Sequence, residues 1–276
     1  MLVVFNRPQA LNAMTSEAQY KLESLFSWYD SEPSLCCAII TGAKTRALEV
    51  FHAATAKKSV IAAINGLVFG GGIGIVSNLD LVVAAESARF ALPGAERGVV
   101  AMAGSLPRIA RTIGRPRATE LALTGKTITA AEAREWGLIN TVTKDGAADC
   151  AVLHRLVVRA ALGYATNIIN NNPDSVIISR AGILAGYEDG SAENASRLLR
   201  ENMESILNEG ESLHEGLKAF AEKRESRISW VQKLNIGAAD AFKAAKTGIN
   251  LSHGHQPGCT PMMDGFVMQN SSSFSR

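Results

Sequence analysis

Short apolar runs separate longer segments of mixed polarity in the first half of the chain. The runs are apolar almost throughout, which is the pattern of strands that are buried on both faces of a sheet. They occupy residues 2–5, 36–42, 59–66 and part of 79–92. Helices must cover such a sheet, so the pattern predicts an α/β fold for this half.

Helical periodicity marks the segments around these strands. Residues 16–30 carry an aromatic-rich stripe that is expected to face the core. It consists of Tyr20, Leu22, Leu25, Phe26 and Tyr29. From about residue 147 the helical pattern becomes continuous, with a helix start at Pro173–Asp174 and a capping-box pattern at Ser212–Glu215. The second half is therefore predicted to be a helical module.

Composition and charge narrow the functional classes. Of the 276 residues, 47% are hydrophobic and 20% are charged, as in an ordinary globular protein. The 28 basic residues nearly balance the 26 acidic ones, which gives no reason to expect a nucleic-acid partner or an anionic membrane surface. No apolar run approaches the roughly 18 residues that span a bilayer. Four cysteines, at 36, 37, 150 and 259, lack disulfide-framework and zinc-site spacing, so a reducing compartment and no bound metal are expected.

Three consecutive glycines, Gly70–Gly72, follow an apolar strand without any charge nearby. A dinucleotide site is one interpretation, but Ser77 occupies the last position of the G-x-G-x-x-G pattern and no acidic residue lies at the expected distance. A second interpretation is a packing turn between a strand and a helix. A third is a helix N-terminus whose backbone N–H groups face a developing negative charge.

Four segments around the glycine run carry longer motifs. They are NRPQALNAMT at 6–15, the stretch from Val60 to Pro93, LTGKTITAAEAREWGLINTVT at 123–143, and GLKAFAEKRESRISW at 216–230. Together they resemble the N-R-P-x-x-x-N-A loop, the central N-G-x-x-x-G-G-G segment, the L-T-G-x-x-I-x-A-x-E-A stretch and the closing helix of the crotonase superfamily. That superfamily contains the enoyl-CoA hydratases and isomerases, and the resemblance extends over residues 2–230.

The resemblance implies a fold and an activity. The expected fold is a crotonase-like spiral core of ββα turns over 1–143, followed by a helical oligomerisation region over 144–229. Such chains form homotrimers or hexamers. They act on acyl-CoA thioesters, whose carbonyl oxygen becomes enolate-like and is held by two backbone N–H groups. Coenzyme A thus enters as part of the substrate, and no separate cofactor is expected.

Site residues also follow from the resemblance. Gly71, the middle glycine, is expected to supply one N–H group of the oxyanion hole. The early loop and the closing helix are expected to bind CoA. The residues at the matching positions are Gln9, Ala10, Leu11, Asn12, Phe220 and Lys223. For the last two, a core aromatic residue and a solvated lysine are the alternative interpretation.

The chain departs from the family pattern where the remaining chemistry is expected. The segment that supplies the other oxyanion N–H group is missing near 47–58. Family hydratases use two glutamates for proton transfer, and Gly74 and Gly94 occupy those positions here. Glu96 is the nearest carboxylate and becomes the candidate acid/base. A surface glutamate beside Arg97 is the alternative interpretation.

The tail departs from the family as well. Residues 230–276 are rich in Gly, Pro and Ser and are predicted to be disordered. The segment SWVQKL, at 229–234, resembles the place where some relatives end in a serine-lysine-leucine peroxisomal signal, which is read only at a terminus. A peroxisomal or cytoplasmic location is expected.

Three functional hypotheses are open from the sequence. The first is an enoyl-CoA hydratase or isomerase of fatty-acid metabolism that stabilises an enolate at Gly71. The second is a catalytically inactive relative, from a decayed or misassembled gene, that keeps the fold and CoA binding. The third is a nucleotide-dependent oxidoreductase. The motifs favour the first two, and the missing glutamates leave the choice between them open.

Overall fold

A computed structural model describes residues 1–6, 9, 12, 15–32, 34–42, 56–101, 104–145, 150–209, 211–224, 262–263 and 266–269. The strands are β1 (Leu2–Phe5), β2 (Cys37–Gly42), β3 (Ser59–Ile64), β4 (Leu67–Phe69), β5 (Leu81–Ala85), β6 (Arg89–Ala91), β7 (Thr127–Thr129), β8 (Thr141–Thr143), β9 (Met262–Met263) and β10 (Phe266–Gln269). The α-helices are α1 (Ser16–Ser31), α2 (Gly71–Val76), α3 (Ser105–Ile113), α4 (Arg115–Thr124), α5 (Ala130–Glu135), α6 (Cys150–Ile169), α7 (Pro173–Asp189), α8 (Ala192–Glu209) and α9 (Glu211–Ala221).

The strands form two sheets that the chain visits in turn. The larger sheet has the order β8-β5-β3-β2-β1-β10-β9, and its strands from β8 to β1 are parallel. The smaller sheet has the order β4-β6-β7. The chain passes from β3 to β4 and returns through α2, then passes from β5 to β6. This alternation confirms the predicted α/β fold and its ββα repeat.

Both faces of the larger sheet are covered, as the uniformly apolar strands predict. Alternate residues of each strand point to opposite faces, so Val3, Ile40 and Ala62 join one buried cluster with α1, α2 and α3. Ile39 and Ile61 join a second cluster beneath α6. The parallel strands therefore lie inside the molecule, and their carboxyl ends all meet at one edge of the sheet.

Helix α1 confirms most of the predicted stripe. Thr15 caps its start, with Oγ1 accepting the Ala18 N–H group at 3.2 Å. Leu22, Leu25, Phe26 and Tyr29 are buried at spacings of three and four residues. The prediction that Tyr20 faces the core is wrong, because this side chain is 70% exposed. Tyr20 precedes Leu22 by two residues, and two residues rotate a helix by about 200°. Tyr20 therefore lies on the opposite face from Leu22.

Four helices follow the sheet, in agreement with the predicted helical module. Asn172 caps α7 ahead of Pro173, as the Pro-Asp start predicts. The capping-box prediction at Ser212–Glu215 is wrong, because α9 already begins at Glu211. The Glu215 carboxylate instead forms an ion pair with Arg224 after the end of that helix. Within the described ranges, no helix combines the length and the hydropathy needed to cross a bilayer.

Part of the tail belongs to the sheet. Strands β9 and β10 pair with each other, and β10 pairs with β1, all antiparallel. These six residues of the tail thus lie in strands. The rest of 230–276, and residues 47–55 at the expected gap in the spiral, lie outside the described residues.

Candidate functional site

Helix α2 begins at the carboxyl edge of the larger sheet. Strands β3 and β5 are parallel neighbours, so the connection between them must return to the amino edge. Helix α2 makes this return, and its first residue, Gly71, therefore lies towards the carboxyl ends of the strands. In open α/β sheets, ligands bind outside these ends.

The glycine run shapes the first turn of α2. Gly70 has a φ of +55°, a conformation that favours glycine, and donates its N–H group to the Ala91 carbonyl at 3.0 Å. The Ile73 N–H group returns to the Gly70 carbonyl at 3.1 Å. Gly71 is half-buried, and no acceptor among the described residues receives its N–H group. First-turn N–H groups lack intrahelical partners and attract negative charge.

Residues from distant segments meet beside this edge in what we call the carboxyl-end cluster: Asn12, Thr41, Gly42, Asn65 and His154. The Asn65 side chain donates Nδ2–H to the Gly42 carbonyl at 2.9 Å. Asn12 is buried, with a φ of +58°. A Cβ atom at Gly42 would lie 3.3 Å from Asn12 Nδ2, so the end of β2 is packed tightly against that amide.

His154 reaches the same cluster from α6. Its Nδ1 atom lies 3.5 Å from Thr41 Oγ1. Burial lowers the pKa of His154, and a hydrogen bond with the Gly42 backbone partly offsets this effect. The neutral imidazole is therefore favoured. Sequence reasoning misses this residue, because no local pattern links His154 to Thr41, which lies 113 residues away in the chain.

Neither of the two positions at which family hydratases carry a glutamate supplies a carboxylate in this chain. Gly74 lies buried within α2. Gly94 accepts hydrogen bonds from the Arg97 and Val99 N–H groups at 3.0 and 2.9 Å. This tight turn brings the Val99 carbonyl oxygen so close that a Cβ atom at position 94 would collide with it. Any side chain at 94 therefore requires a different backbone in this turn.

Glu96 follows this turn on a single 3₁₀ turn, Ala95–Arg97, and is exposed. Its carboxylate occupies the space that a Cβ atom at Gly125, just after α4, would need, and the φ of +65° at that position also favours glycine. Among the described residues, no hydrogen bond joins Glu96 to Gly71.

Comparison with known proteins identifies the family to which the chain is similar. The enoyl-CoA hydratase/isomerase family profile matches residues 47–233. The chain is 38% identical to the mevalonyl-coenzyme A hydratase SIDH of Beauveria bassiana, over 81% of this chain and 89% of that protein. It is 36% identical to the mevalonyl-coenzyme A hydratase sidH of Aspergillus fumigatus, over 82% and 89%. The crystal structure of enoyl-CoA hydratase from Bacillus anthracis superposes with a TM-score of 0.73 at 25% identity, over 83% and 95%.

The chain belongs to the enoyl-CoA hydratase/isomerase family. The predicted resemblance to the crotonase superfamily is thereby confirmed, and with it an acyl-CoA hydratase or isomerase type. Family membership leaves the roles of individual residues open, so each predicted site residue has to be located in the structure.

The predicted CoA-binding residues of this family member fall into two groups. Gln9 is exposed, Asn12 is buried in the carboxyl-end cluster, and Ala10 and Leu11 lie outside the described residues. At the other end of the chain, Phe220 is 85% exposed on α9, and Lys223 follows it with a φ of +51°. No His, Cys, Asp and Glu cluster suited to a metal ion occurs in the described part of the chain.

A cavity of about 940 Å³ lies at the opposite edge of the larger sheet. Ser59, Asp80 and Asn140, at or next to the amino ends of β3, β5 and β8, line one side of it, and α7 lines the other. Arg180 of α7 crosses to Asp80 at 2.8 Å. Because α2 runs away from Gly71 towards this edge, the cavity is separate from the candidate oxyanion site.

Proposed function

We propose that this chain binds an acyl-CoA thioester and stabilises its enolate with the Gly71 N–H group. The observation that carries the proposal is the place of Gly71: it opens α2 at the carboxyl edge of the parallel strands. A first-turn amide there is fixed before the substrate arrives, so it stabilises charge that develops on the thioester oxygen without reorganising. One such donor contributes about 2.7–4 kcal/mol to lowering the barrier.

The substrate class is a 3-hydroxyacyl-CoA or the corresponding 2-enoyl-CoA. The two mevalonyl-coenzyme A hydratases, at 38% and 36% identity, make mevalonyl-CoA the first substrate to test. Dehydration of such a thioester removes a proton from C2 and breaks the C3–O bond, and the hydroxyl leaves with a proton as water. Negative charge collects on the thioester oxygen in between, where Gly71 is proposed to act. No separate cofactor is needed for these steps.

Proton transfer requires a group that positions 74 and 94 do not supply. Glu96 is the proposed proton carrier, since it lies two residues beyond Gly94 on the same turn. Its present contact with Gly125 directs the carboxylate towards the end of α4. Catalysis by Glu96 therefore requires this side chain to change rotamer when the substrate is bound.

The remaining parts of the proposal concern CoA, assembly and location. The loop at 9–12 and the exposed end of α9, with Phe220 and Lys223, would contact the nucleotide part of CoA. The helices α6–α9 would mediate a homotrimer or a hexamer, which is a dimer of trimers. The enzyme would operate in peroxisomes or the cytoplasm, in fatty-acid metabolism or a pathway that uses mevalonyl-CoA.

A second candidate function is CoA binding without catalysis. Two features favour this non-catalytic role: glycine occupies both glutamate positions, and the tight turn at Gly94 leaves no space for a side chain. The match to the enoyl-CoA hydratase/isomerase family over residues 47–233 does not favour a nucleotide-dependent oxidoreductase.

Replacement of Gly71 by proline tests the proposal. Proline removes the N–H donor, yet it is well tolerated at the first position of a helix. The purified protein and Gly71→Pro are assayed with mevalonyl-CoA and crotonyl-CoA by the absorbance of the enoyl thioester. Binding of free CoA, which has no thioester carbonyl, serves as the control. We expect turnover by the natural protein, a loss of about 10²–10³-fold in kcat for the variant, and a free-CoA Kd that changes less than twofold.

The possible outcomes separate the two candidates. Binding of CoA without any change in the enoyl absorbance favours the non-catalytic relative. Equal turnover by Gly71→Pro rules out Gly71 as the donor. A protein that binds no CoA excludes both candidate functions.

A further inference from the structure

The edge of the larger sheet next to β1 is occupied by the C-terminal tail. On one side, β1 pairs with β2 in parallel, from Leu2↔Ile39 to Phe5↔Gly42. On the other side it pairs antiparallel with β10, from Leu2↔Gln269 to Phe5↔Phe266. Without β10 and β9, β1 would be the last strand of this sheet.

The local sequence of the tail favours the same hairpin. Met263 pairs with Phe266, so two residues, Asp264 and Gly265, connect the strands. Asp-Gly between apolar residues is among the strongest short-range signals for a two-residue β-hairpin. The pairing of β9 with β10 thus has a cause in the tail itself, independent of its contact with β1.

All four residues of β1 are buried, which makes an open edge costly. Leu2 and Val4 pack beneath α6, and Val3 and Phe5 pack in the cluster on the other face. The N–H and C=O groups on this side of β1 point along the sheet towards β10, and they would lose these partners without it. An unpaired edge of this kind leaves buried polar groups without partners and offers a template to other chains.

We infer that strands β9 and β10 form an intramolecular edge cap that closes the larger sheet beside β1. The cap belongs to the same chain as β1, so its local concentration at this edge greatly exceeds that of a competing chain. A hairpin from a second copy, or an extended peptide of another protein, would occupy the same edge in its place. These alternatives are separate outcomes of the tests below.

The cap also lies next to the candidate site. Phe5, the last residue of β1, pairs with Phe266, and the chain continues from Asn6 towards Asn12 in the carboxyl-end cluster. The cap therefore restrains the strand from which this loop departs. If the loop binds CoA, which rests on the proposed function, loss of the cap will also weaken CoA binding.

Hydrogen exchange of β1 is the first test. Val267, which pairs with Val4, is replaced by proline, because proline removes the backbone donor and is excluded from paired strands. Ser272→Pro, three residues beyond β10, is the matched control. We expect the peptide that contains Leu2–Phe5 to exchange at least about tenfold faster in Val267→Pro than in the control, with β3 and β5 still protected. Equal exchange rates of this peptide in both variants would contradict the proposed edge cap.

A disulfide experiment tests the edge cap even if Val267→Pro fails to fold. Val3 and Met268 lie directly opposite each other, so a Val3→Cys/Met268→Cys protein, with Cys259→Ser, places two thiols across the pair. The control carries Val3→Cys with Ser272→Cys. Peptide mapping under non-reducing conditions is expected to find a 3–268 disulfide within one chain and no 3–272 disulfide. A disulfide between chains, or none at all, contradicts the intramolecular cap. Neither readout depends on turnover, so failure of the cap is distinguishable from failure of the proposed function.

Discussion

At the scale of single residues, the buried side chain of Lys58 binds the carboxyl end of helix α1. Lys58 is 3% exposed, and its Nζ atom donates to the carbonyls of Tyr29 and Glu32 at 3.0 and 2.7 Å. These carbonyls lie at the end of α1, where they also accept the backbone N–H groups of Glu32 and Leu35 at 3.3 and 3.2 Å. Burial lowers the pKa of Lys58, and Asp30 is first among the acidic groups that oppose this effect. Lys58 thus ends α1 with a cation just before β3 begins.

Replacement of Lys58 by methionine is expected to lower the free energy of unfolding by about 1–3 kcal/mol. Methionine fills similar space but removes the charged donor that the two carbonyls share, and leaves them only their longer backbone hydrogen bonds. The neighbouring Lys57 is exposed, and Lys57→Met is the matched control with an expected change within about 0.5 kcal/mol. Urea unfolding followed by circular dichroism measures both variants. If Lys58→Met proves as stable as Lys57→Met, the carbonyls find other partners and the assigned role is wrong.

At the scale of elements, α7 is held to the spiral core by polar contacts on both sides of the amino-edge cavity. Arg180 donates Nε–H to both oxygens of Asp80, at 2.8 and 2.9 Å, and also binds the Ala56 carbonyl. Asp80 in turn accepts the Val60 N–H group at 2.8 Å. Arg108 forms an ion pair with Glu188 near the other end of α7. This ion pair joins α3, which contains Arg108, to α7.

Removal of the Arg180 guanidinium is expected to cost about 2–4 kcal/mol of unfolding free energy, because Asp80 would remain largely buried without its countercharge. Arg180→Met is the variant, and the two side chains are only 11% and 18% exposed. The control, Arg197→Met, breaks an exposed pair with Glu201 and is expected to cost less than about 1 kcal/mol. Thermal unfolding monitored by calorimetry compares them. Equal losses for both variants would show that burial of the Arg180–Asp80 pair adds nothing.

At the scale of the whole molecule, apolar side chains remain exposed on the helical region. Ile183 of α7 is 72% exposed, and Leu217 and Phe220 of α9 are 61% and 85% exposed. Leu217 and Phe220 are three residues apart and therefore share one face of α9. Adjacent exposed apolar groups on one helix face are typical of surfaces that bind another chain. They agree with the proposed homotrimer.

The trimer is expected to be measurable by light scattering after size exclusion, with a mass about three times the 29.3 kDa of one chain. Leu217→Glu places a charge on the exposed face of α9 and is expected to reduce that mass towards one chain. Tyr20→Glu, on the exposed side of α1, is the control and leaves the assembly intact. A natural protein that elutes as a monomer at micromolar concentration would contradict the proposed assembly.

Local patterns in the sequence determined the helices, the buried strands, the glycine turn before α2 and the family, since each depends on residues that are close in the chain. Short strands escaped this reasoning: β4, β7 and β8 have three residues each, too few to show a period. Tertiary structure alone decided which distant residues meet. It brought His154 to Thr41, Arg180 to Asp80 and the tail hairpin to β1. Such contacts depend on the path of the whole chain, because a sheet edge or a helix face can accept any segment of suitable shape that the topology delivers there.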